Sequence, residues 1–337
     1  MRGSMEDTLS PGRGSVAGDV PNLATLRVRL TFRLLSDGVL PARKGSMFRG
    51  GFGYSFQQVS CPRSCWRSEV CAGATICPFR WIFATPHPPD NPYLHDLRDV
   101  PRPFVIEPPA ETRTHYRAGE VLELTLVLIG RGIDFLPYFL LSFERLGDMG
   151  LGRDNARARL ERAEALAPWS PVGTVIYQDG RMVATEPLPV LSSAEVVARA
   201  AAMPEDLRLT LHGPLRLKYR GDYLNRIVPA ALIHAACWRI DVLAAFHADG
   251  GWATPYRPLV EAAEAIEVRP GQMAWNDWRR TSTRGPTPQT MSLGGIEGSA
   301  ELRGVPAALR AVLLMGSIVH IGKACVFGHG GYALEGL

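Results

Sequence analysis

The sequence predicts an α+β protein built as two tandem βαββαβ units. Three observations predict it: a length of 337 residues, an alternating strand pattern that opens each half, and a shared order of apolar segments after it. A chain of this length exceeds one ordinary core and fits two. Its 46% apolar and 21% charged residues are those of a folded globular protein. The net charge of +4 permits a polyanionic partner without requiring one.

The first unit is expected over 23–167, after a polar, glycine-rich leader at 1–22 that carries no secretory signal. "LATLRVRLTFRL" (23–34) alternates and is rich in β-formers, so it reads as a strand. "GSMFRGGFGYSFQQV" (45–59) predicts a short helix weakened by its glycines. A cysteine-rich insertion over 61–77 and a proline-rich loop follow. "PFVIEPP" (103–109) and "GEVLELTLVLIG" (119–130) predict strands, and "IDFLPYFLLSFERLG" (133–147) an apolar helix. "NARARLERAEAL" (155–166) is extended or a short return strand. The segment 168–205 reads as a linker with a hairpin at "YQDGRMVATEPL" (177–188), turned by Asp179-Gly180.

The second unit is expected over 206–337. "DLRLTLHGPLRLKY" (206–219) predicts a strand, and "DYLNRIVPAALIHAACWRIDVLAAFH" (222–247) one long helix or two joined near Pro229. "AAEAIEVRP" (262–270) and "QTMSLGGIEGSAELRG" (289–304) predict strands. "VPAALRAVLLMGSIVHIG" (305–322) predicts a helix with Pro306 near its first turn, where a missing N–H costs nothing. "GGYALEGL" (330–337) closes with a strand. Both halves therefore follow the ferredoxin-like order, which single-strand RNA-binding modules share. No stretch offers 18 clean apolar residues, so no membrane span is expected and the protein is placed in the cytoplasm.

Two stretches carry chemistry. "HIGKACVFGHGGYAL" (320–334) sets four glycines around the end of the last helix, where backbone N–H groups can point at a phosphate. It lacks the GxxxxGK[ST] spacing of a P-loop and the strand–loop–helix setting of a dinucleotide fingerprint. An RNA-contact loop and a plain turn both fit it. "WNDWRRTSTRGPTPQTMSLGGIEGSAEL" (275–302) places Trp275 and Trp278 beside Arg279, Arg280 and Arg284. Aromatic rings can stack on bases and guanidinium groups can grip phosphates, while a tryptophan pair also suits a core.

These blocks, with "LPARKGSMFRGGFGYSFQQVSC" (40–61), "CPFRWIFATP" (77–86), "RPFVIEPP" (102–109) and "LIGRGIDFLPYFLLSFERLGDMGLG" (128–152), resemble a known family. The chain is similar over about 24–337 to the CRISPR-associated endoribonucleases that process precursor CRISPR RNA, in the repeat-associated mysterious protein (RAMP) superfamily. The resemblance implies two ferredoxin-like domains, a CRISPR repeat RNA as partner, and a glycine-rich loop near that RNA. It implies one metal-independent cut per repeat, by attack of a 2′-hydroxyl on the adjacent phosphorus, and no cofactor for catalysis. Other subunits of a CRISPR effector complex are further expected partners.

That reaction calls for a base, an acid and positive charge. The family commonly presents a histidine in its "FGH" stretch; this chain has "FGYSF", which puts Tyr54 there. A tyrosine, with a pKa of about 10, is a poor base near neutrality unless perturbed, but it can orient the 2′-OH or donate a proton. Arg43, Lys44 and Arg49 are expected at the scissile phosphate or the flanking backbone, with a solvated basic edge as the alternative. His320 and Lys323 are candidates for acid or base plus phosphate clamp. His212, Lys218, His329 and the loop glycines Gly328, Gly330 and Gly331 are candidate RNA contacts.

Cys61, Cys65, Cys71 and Cys77 have the spacing C-x3-C-x5-C-x5-C, which admits a structural zinc ion or free, partly buried thiols. A zinc there would pin a loop and take no part in cleavage. Two rival functions remain at this stage. One is a non-cleaving RAMP subunit that holds guide RNA, which Tyr54 favours. The other is a protein scaffold without an RNA role.

Overall fold

The computed structural model describes residues 20–61, 65, 77–85, 87, 97, 99–282 and 289–337, with 279–282 and 289 as backbone only. The first lobe runs β1 (Thr25–Leu34), β2 (Gly38–Val39), α1 (Gly45–Ser60), α2 (Pro78–Phe83), β3 (Phe104–Glu107), β4 (His115–Tyr116), β5 (Val121–Ile129), α3 (Leu136–Met149) and β6 (Ala158–Leu166). A hairpin of β7 (Gly173–Gln178) and β8 (Arg181–Met182) follows, then α4 (Ser193–Ala201). The second lobe runs β9 (Leu207–Leu211), β10 (Lys218–Tyr219), β11 (Asp222–Tyr223), α5 (Pro229–His247), α6 (Arg257–Ala262) and β12 (Glu267–Asn276). It ends with β13 (Arg279–Ser282), β14 (Gln289–Ser292), β15 (Gly295–Arg303), α7 (Ala307–Val319) and β16 (Tyr332–Gly336).

The two main sheets repeat one topology. The first has the order β3-β5-β1-β6-β7-β8 and the second β12-β15-β9-β16, with all neighbours antiparallel. Counting the four main strands of each lobe in chain order, both sheets read 2-3-1-4, the arrangement of a βαββαβ unit.

Alternation along β1 explains how the first lobe is layered. Leu26, Val28, Leu30, Phe32 and Leu34 are buried on one face, where α1 and α3 supply Phe48, Phe52, Phe56, Phe139 and Phe143. Phe52 stacks on Phe143 at 4.8 Å and on Phe139 at 5.2 Å. Burial of each such ring contributes about 1.5–3 kcal/mol. The glycines that weaken α1 as an isolated helix let it approach closely: a Cβ on Gly51 would lie 2.4 Å from Leu146 of α3. The opposite face of the same sheet turns toward the second lobe. Val105, Val127 and Ile129 belong to the second lobe's core cluster, while Phe104, Ile106, Leu126 and Leu128 belong to the first. Period-two geometry therefore also sends Glu107, two residues after Val105, to the contact between the lobes.

Several expectations need correction. The hairpin turned by Asp179 (φ 45) and Gly180 (φ 85) extends the first sheet and is no free linker. The same segment holds α4, started by a capping box in which Ser192 and Glu195 satisfy each other's backbone. The strand expected over 206–219 stops at Leu211, ahead of Gly213-Pro214. The helix expected from 222 starts at Pro229, and 222–223 pair with β10 instead. The helix α5 is long and apolar enough to cross a membrane by length and composition alone, but it carries Arg239 and Asp241 and 72% of its apolar window is buried within the protein, as suits a core helix.

Of the cysteines at 61–77, Cys61, Cys65 and Cys77 are partly exposed and free of disulfides, and Cys71 lies outside the described residues. Among the described residues no group of three or more His, Cys, Asp or Glu is arranged to hold a metal ion.

Candidate nucleic-acid interface

The glycine-rich loop after α7 meets the first lobe at the first residue of α1 and the end of β3. A Cβ on Gly45 would sit 2.1 Å from the Phe327 carbonyl oxygen, and one on Gly328 would sit 2.8 Å from that of Ile106. Gly322, Gly328 and Gly330 have φ of 86°, 85° and 71°, a region in which side chains are strained. The N–H groups of Lys323, Phe327, Gly328 and Gly330 donate to backbone carbonyls of Arg216, Ala324, Cys325 and Pro214. These four amides are taken up within the loop or by the 214–216 segment and are not turned to a phosphate.

On one side of this loop lies a closed polar corner. His320 is 3% exposed, with Nδ1 3.0 Å from the His329 carbonyl and Nε2 3.2 Å from Glu107 Oε1. Arg27 donates to the other Glu107 oxygen at 2.6 Å. Burial alone would raise the Glu107 pKa, but the His320 hydrogen bond and the Arg27 charge outweigh it and hold the carboxyl at about 2. His329 is buried too, and burial followed by the nearby Arg43 charge pushes its imidazole down to about 4. Its ring lies 5.5 Å from that of Trp278. Arg43 ion-pairs with Glu297 at 2.8 Å across the lobes and lies over Trp278. His212 is exposed at the lip of this corner, where its N–H donates to the Gly331 carbonyl.

On the other side a cleft of about 520 Å³ opens between the lobes. Arg49, Arg102, Arg216, Arg239 and Lys323 line it, against one carboxylate among its described lining residues, Asp99. Tyr223, delivered by the β10–β11 hairpin, lines it as well. Its hydroxyl accepts a hydrogen bond from Lys323 Nζ at 3.2 Å. The Arg216 guanidinium lies 4.2 Å from its ring centre and Lys218 Nζ 5.4 Å. The hydrogen bonds of Arg216 and then Lys323 draw the Tyr223 phenol down to about 8. Trp275, 40% exposed, has its ring 6.2 Å from that of Tyr223.

The structure thus gathers some of the expected residues and separates others. Lys323, Lys218 and Arg49 line or border the cleft. Lys44, expected at a phosphate, is fully buried, with Nζ donating to the carbonyls of Glu111 and Arg113 at 2.9 and 2.8 Å. It holds a loop and is closed to RNA. His329, Gly330 and Gly331 are buried in the contact between the lobes, with His329 also on the wall of the cleft. Tyr54 is exposed but stands nine residues along α1 from Gly45. That is about 13 Å of rise and a half-turn away from the face that meets the loop. It is not brought to His320 or Lys323. Arg279 and Arg280 lie on β13 with backbone alone described, and Arg284 lies outside the described residues.

Sequence reasoning missed Tyr223, Arg216, Arg239 and Glu107. A short polar turn, "KYRGDY" (218–223), between Gly213-Pro214 and Pro229 was the one available signal for the hairpin that carries Tyr223.

Comparison with known proteins bears on both lobes. Residues 23–188 match a family model named AF_1859_N, described as an N-terminal domain. Residues 209–332 match the model of the CRISPR-associated endoribonuclease Cas6. No curated protein matches the sequence. Among solved structures, a partial Cas6-RT-Cas1–Cas2 complex superposes with a TM-score of 0.57 at 16% identity, over 94% of this chain and 46% of that one. A fuller Cas6-RT-Cas1–Cas2 complex gives the same score and identity, over 94% of this chain and 29% of the other. The chain thus spans less than half the length of these two relatives. A Thermus thermophilus Cas6 product complex superposes with a TM-score of 0.50 at 16% identity, over 92% of this chain and 99% of that one. At these identities the superpositions show a shared fold. The second lobe thus matches the Cas6 endoribonuclease model over 209–332, and the whole chain shares its fold with solved Cas6 structures.

Proposed function

We propose that the chain cleaves CRISPR repeat RNA in precursor transcripts, at the cleft between its lobes. The observation that carries this reading is Tyr223 in a basic cleft, with a phenol near 8, Lys323 on its hydroxyl and Arg216 on its ring. At pH 7 about a tenth of such a phenol is phenolate, against about a thousandth for an ordinary tyrosine. The phenolate takes the proton of a 2′-hydroxyl, and O2′ forms a bond to the adjacent phosphorus. The bond from phosphorus to the 5′-oxygen breaks, and that oxygen takes a proton from the Lys323 ammonium. The products are a 2′,3′-cyclic phosphate and a 5′-hydroxyl. Arg216, Arg102 and Arg49 oppose the charge of the phosphorane, and Lys218 and Trp275 flank the tyrosine where neighbouring nucleotides would lie. His212, on the lip of the closed corner, is an RNA contact in this scheme, and the strand carrying Arg279 and Arg280 borders the same side. No step requires a metal; a zinc ion at the cysteines of 61–77 would be structural.

The chain would also assemble with further CRISPR proteins, as the Cas6-RT-Cas1–Cas2 relatives do by their description. The test is incubation of the purified protein with its repeat RNA in excess EDTA, followed by analysis of the product ends. A single cut with a cyclic phosphate supports the proposal. Tight binding with no cut would replace it with a subunit that only holds guide RNA.

A further inference from the structure

The chain has two fully buried arginines among its described residues, and they differ in one respect. Arg310 is 6% exposed, with Nε on the Ala200 carbonyl at 2.9 Å and Nη1 on that of Val305 at 2.7 Å. It bonds the backbone as a structural arginine does. Arg239 is 5% exposed, yet its Nε reaches the Val319 carbonyl only at 3.4 Å, and its Nη2 has no hydrogen-bond partner. A buried donor left unmade is costly, and native proteins rarely keep one without use. Arg239 also lies among other cations. It lines the cleft with Arg102 and Lys323, and burial, despite the opposing pull of Cys325 and with help from Arg102, lowers its proton affinity. The nearest carboxylate of the lining, Asp99, is 85% exposed and engaged with Arg102 at 3.1 Å. Among the described lining residues of the cleft, no other carboxylate is present. Arg239 thus lines a basic cleft with one guanidinium nitrogen unpaired, and a guanidinium fork matches the oxygens of a tetrahedral oxyanion.

We propose that Arg239, with Arg102 and Lys323 at its rim, forms an oxyanion subsite on the floor of the cleft that takes one phosphate group. The subsite stands on its own geometry; its assignment to a phosphate of an RNA backbone rests on the reading of the cleft as an RNA-processing site. Arg239 would fix the register of the strand, and Tyr223, on the same cleft, would act on a sugar held by that register.

Thermal melting of the full chain in inorganic phosphate, against chloride at equal ionic strength, tests the subsite. Phosphate is expected to raise the wild-type melting temperature in a saturable way. Arg239→Gln, which keeps a donor for the Val319 carbonyl, is expected to lose that rise. No rise in the wild type, or the same rise in Arg239→Gln, would overturn the proposal. If Arg239→Gln does not fold, Arg102→Ala takes its place: a phosphate response weakened several-fold supports the subsite, and an unchanged one overturns it. A second arm uses repeat RNA. Arg239→Gln should weaken RNA binding about tenfold and reduce the salt dependence of log K by about one unit. Phosphate binding without RNA binding would remove the RNA assignment and leave the subsite. RNA cleavage without a phosphate response would remove the subsite and leave the enzyme.

Discussion

The two sides of the contact between the lobes share one loop and have opposite character. On the closed side, His320 meets the Glu107 carboxylate and the His329 carbonyl, and Arg43 pairs with Glu297. On the open side, Tyr223, Lys323, Arg216 and Arg239 face a cleft with one carboxylate among the described lining residues. Residue type alone would give the chemistry to the histidines. The proposal gives it to the tyrosine, because burial pushes the His329 imidazole down whereas two neighbouring cations draw the Tyr223 phenol toward neutrality.

The largest effect should come from the open side. Tyr223→Phe removes the proposed base and is expected to slow cleavage by about 10²–10⁴-fold. Repeat-RNA affinity should stay within a few-fold, since the ring remains. In the wild type the single-turnover rate should climb with pH through about 8, where the phenol is half ionised, and level off above it. A rate that ignores pH between 6 and about 8 would assign the proton transfer elsewhere.

The closed side should answer in stability. The Glu107 carboxyl is held at about 2, below its ordinary 4.5. A depressed acid contributes stability that is full above its ordinary value and is lost as pH falls through the folded one. The shift corresponds to roughly 3 kcal/mol, to be lost between about pH 4.5 and 2. Urea unfolding across that range should show the loss in the wild type, and Glu107→Gln should lack that acid-dependent part.

Arg43→Ala removes the ion pair to Glu297, which is a third exposed. A cost near 1 kcal/mol is expected, with a double-mutant cycle against Glu297→Gln to isolate the coupling. Tyr54→Phe should do least, leaving cleavage within about two-fold, because that side chain faces away from both sides of the contact. A larger loss would mean that RNA reaches round α1.

Much of the fold was legible because its causes are local. The apolar residues of β1 and β5 repeat every second position, and Pro306 and Pro229 stand at helix starts. The capping box at Ser192 was readable too, but its short helix lies in a stretch that alternation and turn signals marked as linker. The site was far less legible. Glu107 and His320 are 213 residues apart in sequence, and Lys323 and Tyr223 are 100 apart. No local pattern announces such a meeting. The burial of Lys44 depends on two carbonyls in a distant loop, so a basic "RK" pair looked the same whether it faced solvent or a wall. What the sequence did disclose was the set of reactive types and the loop beside which they gather.

The contact of Gly45 with Phe327 leaves no room for one added carbon, and Gly328 meets Ile106 and Pro108 as closely. Backbone rests on backbone there, so the lobes have no room to close further at this contact. A vice with welded jaws measures what is put into it. If the cleft takes RNA as proposed, the spacing from the buried guanidinium to the tyrosine would act as a gauge, and an RNA of the wrong curvature would have to bend to it or slip past uncut. A lineage that needed a different cut would find little to adjust in the weld, and would have to move the short hairpin that carries Tyr223.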